Sequence, residues 1–470
     1  MPRAGWVKPE SDRRLSDLVS VGVLTRVFPP DLVDEVIADL GRTEQRSRSL
    51  PARVMAYFSI GMALYSEGSY QDVLAQLTDG LSWASGWREY YRPPSKSAIF
   101  QARARLGSEP LAALFERVAK PIGAEQTPEV WLAGRRLVAI DGMCLDVADT
   151  AANTAHFGRP GVNKGEQAGF PQARVVALAE CGTHAVFAAE IGTYSQSEAT
   201  LSVALLDHLE PGMLLLADRG FFSYALWRKA IGTGADLLWR VRTDKSAPKP
   251  AHVEDLPDGS WLAHLRGLTP AAERRHEPML VRVIDYTIED GRENPTSYRL
   301  FTTVLDPAEV TALDLAAAYT RRWEIELTFD ELKTHQRGPR TVLRSKSPDL
   351  VLQEIWGHLC CHYAIRSLMA QAATHSGHDP DRVSFVAALR ITRQTLAHPG
   401  AFPPDHHGRD SPGWLFFLQR LIARLNPARR QRAAPRVIKR KMPKWHVKRA
   451  HHAAWPQPQH PPDYRVASTN

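Results

Sequence analysis

One short stretch of the chain, residues 319–333, carries phenolic and charged side chains at a spacing that could serve chemistry. It contains no Gly or Pro and is rich in Glu, Leu, Lys and Arg, so its composition favours a helix. On a helical wheel of about 100° per residue measured from Glu326, Tyr319 lies at about +20°, Arg322 at about −40° and Lys333 at about −20°. One carboxylate, two cations and a phenol therefore share a narrow stripe and could act on one ligand. The alternative is a solvated helix whose surface carries ion pairs.

Two aspartates upstream each follow a short apolar run. Residues 137–140 are Leu-Val-Ala-Ile and lead into Asp141, and residues 213–217 are Met-Leu-Leu-Leu-Ala and lead into Asp218. Runs of this kind predict buried strands that deliver a carboxylate to the edge of a sheet. An Asp-Gly after one strand is by itself only a turn signal. We therefore expect both aspartates at strand ends.

The four side chains of the stripe match, residue for residue, the signature Tyr-(2)-Arg-(3)-Glu-(6)-Lys, and the two aspartates precede it in the order that this signature requires. In this pattern the chain resembles the insertion sequence 4 family of DDE transposases, over roughly residues 15–445. The resemblance implies an α/β fold in which a ribonuclease-H-like catalytic core carries a β-rich insertion and follows an all-helical N-terminal domain.

A change of hydrophobic period along the chain agrees with that organisation. The pattern is helical from about residue 15 to 122 and changes to a period of two near Trp131. Three antiparallel strands, a helix, a strand, a helix and a strand are then expected up to residue 241. The expected domains are a helical DNA-binding domain at 1–125, the first part of the core at 130–243, the insertion at 244–306, the core helix with the glutamate at 307–375, and a C-terminal helical region with a basic tail at 376–470.

Three carboxylates that converge from separate segments suit two divalent metal ions acting on a phosphodiester, because Mg²⁺ prefers oxygen ligands and is held by few carboxylates plus substrate phosphate. The resemblance implies that Asp141, Asp218 and Glu326 are the catalytic residues and the ligands of two Mg²⁺ ions, for which Mn²⁺ can substitute. It also implies that Tyr319, Arg322 and Lys333 hold phosphates at the transposon end, which suits a guanidinium fork and a compact ammonium charge.

Further DNA contacts are expected outside the stripe. Arg103 and Arg105 lie on a basic helix that opens after a Ser cap, and this helix could be the recognition half of a helix-turn-helix or an ordinary amphipathic helix. Arg219 directly follows the second aspartate and faces either DNA or a structural ion pair. Tyr298, with Trp261 in reserve, is the candidate ring for a flipped base, although a packing role between strands is the alternative.

The activity implied by the resemblance is that of a transposase. It binds the terminal inverted repeats of its element, nicks DNA, passes through a hairpin intermediate and joins the freed 3′-hydroxyl to target DNA, as a homodimer in a synaptic complex. Two alternatives stay open at this point. One is a ribonuclease-H-like nuclease without strand transfer, and the other is a catalytically inactive, domesticated DNA-binding protein.

Composition narrows the class of protein without identifying it. The 470 residues carry a formal net charge of +8 and a pI near 9.3, which suits a polyanionic partner. The four cysteines are too few for a disulfide framework, and no run of 18 apolar residues occurs. These features predict a cytoplasmic protein with no membrane association. His358 and His362 have metal-ligand spacing, but their apolar surroundings favour buried core positions.

A basic segment near the C-terminus, residues 429–449, is expected to add DNA affinity through charge. It contains ten Lys and Arg and no acidic residue. Deleting it should weaken DNA binding and flatten the dependence of log Kd on log salt concentration, because fewer counterions are released on binding. Binding of a labelled transposon end over a series of salt concentrations measures this slope. An unchanged slope would show that the segment does not contact DNA.

Overall fold

The computed structural model describes residues 21–44, 50–85, 94–162, 166–266, 277–288, 296–338, 342–396 and 412–427. The basic segment 429–449 lies outside these residues. The helices are α1 (Pro30–Asp39), α2 (Ala52–Leu64), α3 (Tyr70–Ser85), α4 (Lys96–Leu106), α5 (Glu109–Val118), α6 (Ala151–Phe157), α7 (Glu198–Leu205), α8 (Tyr224–Ile231), α9 (Ala312–Tyr319), α10 (Trp323–Asp330), α11 (Pro348–Ser376), α12 (Phe385–Leu396) and α13 (Pro412–Ile422).

The strands are β1 (Trp131–Leu132), β2 (Arg135–Asp146), β3 (Gly161–Val162), β4 (Glu166–Gln167), β5 (Gln172–Glu180), β6 (Val186–Thr193), β7 (Met213–Ala217), β8 (Asp236–Val241), β9 (Ala251–Asp255), β10 (Trp261–Leu265), β11 (Met279–Ile288) and β12 (Thr296–Thr302). Helix α6 and the small β3–β4 hairpin lie in the stretch 149–172, which the Gly, Asn and Pro content of the sequence had indicated as a loop.

The central sheet has the strand order β6-β5-β2-β7-β8-β12-β11-β10-β9, with β1 paired to β2, while β3 and β4 form a separate two-stranded sheet. Strands β2, β7 and β8 are parallel to one another. Strand β5 is antiparallel to β2, and β6, which is antiparallel to β5, runs parallel to β2. Apart from β1, α6 and the β3–β4 pair, the succession of strands and helices up to residue 241 is the one expected from the sequence. The strands of the 244–306 stretch continue the same sheet, because β12 pairs directly with β8. The insertion is therefore an extension of the central sheet rather than a separate sheet.

Two apolar cores lie on the two faces of the sheet. Helices α7 and α8 cover one face, around the fully buried rings of Trp227 and Trp239. The other face shares its core with the N-terminal helices, the segment that carries Glu326, and the long helix α11. The helical N-terminal region is thus packed onto the α/β part through a common core.

Helices α2 and α11 cross at close range. Nearly every residue of α2 is buried. A Cβ atom at Gly357 of α11 would lie 2.6 Å from the backbone oxygen of Ser59, so only a glycine lets the two helix backbones approach this closely. The crossing fixes the N-terminal helices against the element that lies behind the candidate site.

The prediction that Arg103 contacts DNA is wrong for this structure. The side chain is fully buried, and its Nε atom donates to Gln353 Oε1 at 2.8 Å while its Nη1 atom donates to the Tyr70 hydroxyl at 2.6 Å. Its Nη2 atom donates to Ser345 Oγ and to the Leu350 carbonyl. The guanidinium therefore joins α4 to α11, uses four of its five N–H donors inside the protein and, being fully buried, is closed to a phosphate at the surface.

Arg105, on the same helix, is exposed and provides a matched control. We expect Arg103→Ala to lower the free energy of unfolding by about 2–4 kcal/mol, because several buried acceptors lose their donor. Arg105→Ala should change it by no more than about 0.5 kcal/mol. Denaturant unfolding of both variants measures the difference. Equal stability of the two variants would contradict the structural role of Arg103.

Candidate active site

The register between two parallel strands brings the two aspartates together. Ile140 of β2 pairs with Ala217 of β7. The next residues along these two segments, Asp141 and Asp218, are therefore neighbours, because the backbones of adjacent strands lie about 5 Å apart. Asp218 follows the end of its strand, as predicted. Asp141 does not, because β2 continues to Asp146 through its pairing with β5. On the side of β2 that faces β7, strand pairing ends at Ile140. This edge of β2 is open from Asp141 onward.

The segment with Glu326 is helical, but it departs from α-helical geometry at two places. Helix α9 ends at Tyr319, a 3₁₀ turn covers Thr320–Arg322, α10 follows, and a π-helix covers Glu331–Gln336. The prediction of one regular helix is therefore wrong in its pitch. The Tyr319 hydroxyl donates to the carbonyl oxygen of Ala217 at 3.4 Å, which ties this segment to the end of β7 immediately before Asp218.

Arg322 lies between two of the carboxylates. Its Nη1 atom donates to Asp141 Oδ2 at 3.2 Å, and its Nη2 atom donates to Glu326 Oε1 at 3.3 Å. The Arg322 side chain is only 5% exposed, whereas those of Asp141 and Glu326 are 21% and 36% exposed. A single buried guanidinium thus joins the strand carboxylate to the helix carboxylate, and both carboxylates keep a side open to solvent.

The electrostatics of Asp141 reflect its position among other acids. Burial raises the pKa of Asp141 to about 6, although the Gly142 N–H and the Arg322 charge lower it. The negative charges of Glu198 and Glu326 also raise the pKa of Asp141 and make smaller contributions to this value. Ionisation of Asp141 is therefore costly unless a cation lies beside it.

The cations and the phenol of the stripe are also perturbed. Burial lowers the pKa of Arg322, but the surrounding groups more than offset this and hold it above its ordinary value, Tyr319 and Asp218 first among them. Burial raises the pKa of Tyr319, so its phenol stays protonated at neutral pH. Burial lowers the pKa of the partly exposed Lys333, while the acids Cys144 and Asp141 act in the opposite direction.

Two glutamates on the rear of this segment anchor it to the rest of the protein. Glu324 accepts a hydrogen bond from the backbone N–H of Gly182, in the β5–β6 turn. Glu331 is buried, where it accepts from Arg366 Nε at 2.9 Å and lies 3.0 Å from His362 Nε2. Both glutamates are buried, whereas the Glu326 side chain is 36% exposed. His362 and His358 are both buried, as predicted.

The outlying candidate residues take different positions. Arg219 is exposed directly after Asp218. Tyr298 stacks on Tyr286 across β11 and β12, with ring centroids 5.2 Å apart, and the Arg240 guanidinium lies 4.4 Å from the Tyr298 ring on the β8 side. A base could reach the face of Tyr298 only after Arg240 moves.

Three residues beside the site were missed by the sequence reasoning. The Arg240 Nη1 atom lies 3.9 Å from Asp218 Oδ1, Glu198 acts on Asp141, and the half-exposed Trp323 ring packs on the Arg322 guanidinium. Arg240 lies near the end of the strand predicted at 236–241, which is parallel to β7. Its place near a strand end was the one feature of the sequence that could have indicated a position beside Asp218. Glu198 follows a Ser cap and had no signal of its own.

Comparisons with known proteins agree with this arrangement. Residues 18–116 match the family model described as the insertion element 4 transposase N-terminal region, and residues 132–364 match the transposase DDE domain. The chain is 31% identical over 416 residues to the transposase InsG for insertion sequence element IS4 of Escherichia coli K12, covering 87% of this chain and 90% of the relative. It is 27% identical over 239 residues to the putative transposase InsZ of the same organism, covering 51% of this chain and 77% of that relative.

The fold, the acidic site and these matches define a DDE transposase. The chain belongs to the insertion sequence 4 family of these enzymes. Transposases act on DNA, and DDE transposase domains generally use divalent metal ions. Among the described residues, no helix is both long and apolar enough to cross a membrane.

The neighbouring acid Asp330 offers a direct comparison with Glu326. It is exposed, accepts a hydrogen bond from Thr334 Oγ1 at 2.7 Å and lies 3.4 Å from His335 Nε2. Glu326→Gln should reduce strand cleavage in Mg²⁺ by about 10³-fold or more, and Asp330→Asn should stay within about tenfold of the unmodified protein. Cleavage of a labelled DNA end measures both. The reverse order would move the catalytic acid one turn along the helix.

Proposed function

We propose that this transposase binds the terminal inverted repeats of an insertion sequence and catalyses metal-dependent cleavage and strand transfer through a hairpin on the transposon end. The observation that carries the proposal is the contact of the buried Arg322 guanidinium with Asp141 and Glu326, with Asp218 close enough to raise the pKa of Arg322. The strand order β6-β5-β2-β7-β8 supports a ribonuclease-H-like core beneath it. Synapsis of two ends requires at least two copies of the chain, so we include a homodimer on DNA in the proposal.

The acidic residues fit divalent cations. Among the described residues, Asp218 Oδ1 is buried and has no hydrogen-bond partner, and Asp141 is ionised at a cost that a nearby cation would offset. Carboxylates placed in this way suit Mg²⁺, which is usually held by one or two carboxylates with water and substrate phosphate completing the shell.

Asp141 would hold two ions, with Asp218 completing one site and Glu326 the other. When bound, Mg²⁺ would activate the attacking water or 3′-hydroxyl and stabilise the leaving 3′-oxygen. The remaining groups are suited to the phosphates. Arg322 offers a bidentate fork, the protonated phenol of Tyr319 can donate a hydrogen bond, and Lys333 adds a point charge.

Arg240 and Arg219 extend the proposed DNA surface around Asp218. Arg240 is half-buried between Asp218 and the Tyr298 ring, and Arg219 is exposed beside them. A phosphate entering here would compete with Asp218 for Arg240. Arg105, exposed on α4, is proposed as a backbone contact of the N-terminal helices.

A single assay tests the proposed function. A labelled transposon end with Mg²⁺ should yield nicked, hairpin and joined products with the unmodified protein. Asp218→Ala should abolish all three while leaving end binding within about threefold, because this residue is placed for metal rather than for DNA contact. Nicks without joined products would indicate a nuclease, and binding without nicks would indicate an inactive DNA-binding protein.

Tyr298 is proposed to receive a flipped base once Arg240 has moved aside. Stacking is worth about 1–3 kcal/mol per base, so Tyr298→Ala should slow hairpin formation about tenfold or more. The first nick should be little affected. Trp261→Ala is the control. Trp261 lies on β10, two strands away from Tyr298 on β12, and its ring stacks on His252 instead. Equal loss of the nick and the hairpin in the Tyr298 variant would point to a packing role.

A further inference from the structure

A fourth carboxylate, that of Glu198, lies beside the open edge of β2. Glu198 is the first residue of α7, on the sheet face opposite the core that contains α10. We propose that Glu198 is a further residue of the metal centre, whose negative charge helps to hold a divalent cation at Asp141, directly or through a water molecule of that cation. The inference rests on the proposed function, because it concerns the same cation site.

The contact with Gly142 places this carboxylate close to Asp141. A Cβ atom at residue 142 would lie 2.5 Å from both Cδ and Oε1 of Glu198, so the carboxylate occupies the space that any side chain there would need. The Gly142 N–H donates to Asp141 Oδ1 at 2.8 Å. Successive residues of a strand face opposite sides of the sheet, so Glu198 approaches Gly142 from the α7 face while the Asp141 side chain belongs to the other face. The backbone of β2 at this edge lies between the two carboxylates, and the glycine is what lets Glu198 approach it.

The position of Glu198 is fixed from two sides. Ser197 caps α7 by accepting a hydrogen bond from the Thr200 N–H, which sets where the helix begins. Arg174 Nη1 on β5 donates to Glu198 Oε1 at 3.0 Å, and Arg174 Nη2 donates to the Tyr194 carbonyl. Among the described residues, Glu198 Oε2 accepts no hydrogen bond. One oxygen is thus held in place, and the other is available to a ligand.

The charge balance explains why a carboxylate would be kept at this position. Glu198 and Glu326 both act on Asp141 as like charges, and Arg322 is the cation that touches Asp141. Arg174 offsets part of the charge of Glu198 through its contact with Oε1. Surrounding carboxylates of this kind raise the affinity of a site for a divalent cation, and removing such a partner typically lowers metal affinity about 10–100-fold.

The test is Mn²⁺ binding to the full-length protein, measured by isothermal titration calorimetry without DNA. Glu198→Gln keeps the size of the side chain and an oxygen acceptor for Arg174 but removes the charge. It should weaken Mn²⁺ binding about tenfold or more. Asp207→Asn, which removes a charge from an exposed position beyond the other end of α7, should leave the affinity unchanged. Unchanged affinity in Glu198→Gln would overturn the inference.

Two comparisons keep the outcomes distinct. If the unmodified protein binds Mn²⁺ no better than Asp141→Asn, the metal centre of the proposed function fails and this inference fails with it. If the unmodified protein binds and Glu198→Gln binds equally well, only this inference fails. Should circular dichroism show that Glu198→Gln does not fold, Glu198→Asp replaces it. The Asp side chain is one methylene shorter, so its charge lies farther from the cation, and Mn²⁺ binding should weaken about threefold or more. Binding of Mn²⁺ at full affinity by this variant would overturn the inference.

Discussion

The Arg322 guanidinium between Asp141 and Glu326 is the interaction on which the arrangement of this site depends. It joins a carboxylate on the central sheet to a carboxylate on the helical segment, and it is nearly excluded from solvent. Several acids surround it, and a group of like charges is stable only when a cation offsets their repulsion. Arg322 supplies that cation in the structure described. The same guanidinium is well suited to bind a phosphate. When DNA and metal ions bind, we expect Arg322 to exchange a carboxylate contact for a phosphate contact, with the metal ions taking over the carboxylate.

The surrounding fold holds both ends of this interaction in place. Asp141 is fixed because β2 pairs with β5 and β7 on its two sides. The helical segment is fixed by the Tyr319 hydroxyl at its front and by Glu331 at its rear, where Arg366 of the buried helix α11 holds the glutamate. Removing one partner of such a buried ion pair is far more costly than its net contribution suggests. The π-helix that carries Lys333 begins at this anchored residue, and π-helical turns are frequent at functional sites.

Most residues of the candidate site could be predicted from the sequence because their signals are local. The spacing of Tyr319, Arg322, Glu326 and Lys333 and the two apolar runs before the aspartates are visible without a fold, and the family comparison confirmed the class of protein that they indicated. The register of β2 against β7, the continuation of β2 past Asp141, and the changes of helical pitch depend on pairing and packing between distant residues. For the same reason Arg103 was misassigned, since the burial of a basic residue depends on α11, some 250 positions away. The roles proposed for Glu198 and Arg240 follow from the sheet, which brings them near the aspartates and which the sequence alone does not show.

The most direct measurement is a structure of the full-length protein with a transposon end and Mn²⁺, in which anomalous scattering locates the ions. The account predicts manganese bound at Asp141, with the Arg322 guanidinium moved beyond hydrogen-bond distance, about 3.5 Å, from at least one of the two carboxylates and onto a phosphate oxygen. A structure with Arg322 still bridging Asp141 and Glu326 and manganese bound elsewhere would contradict it.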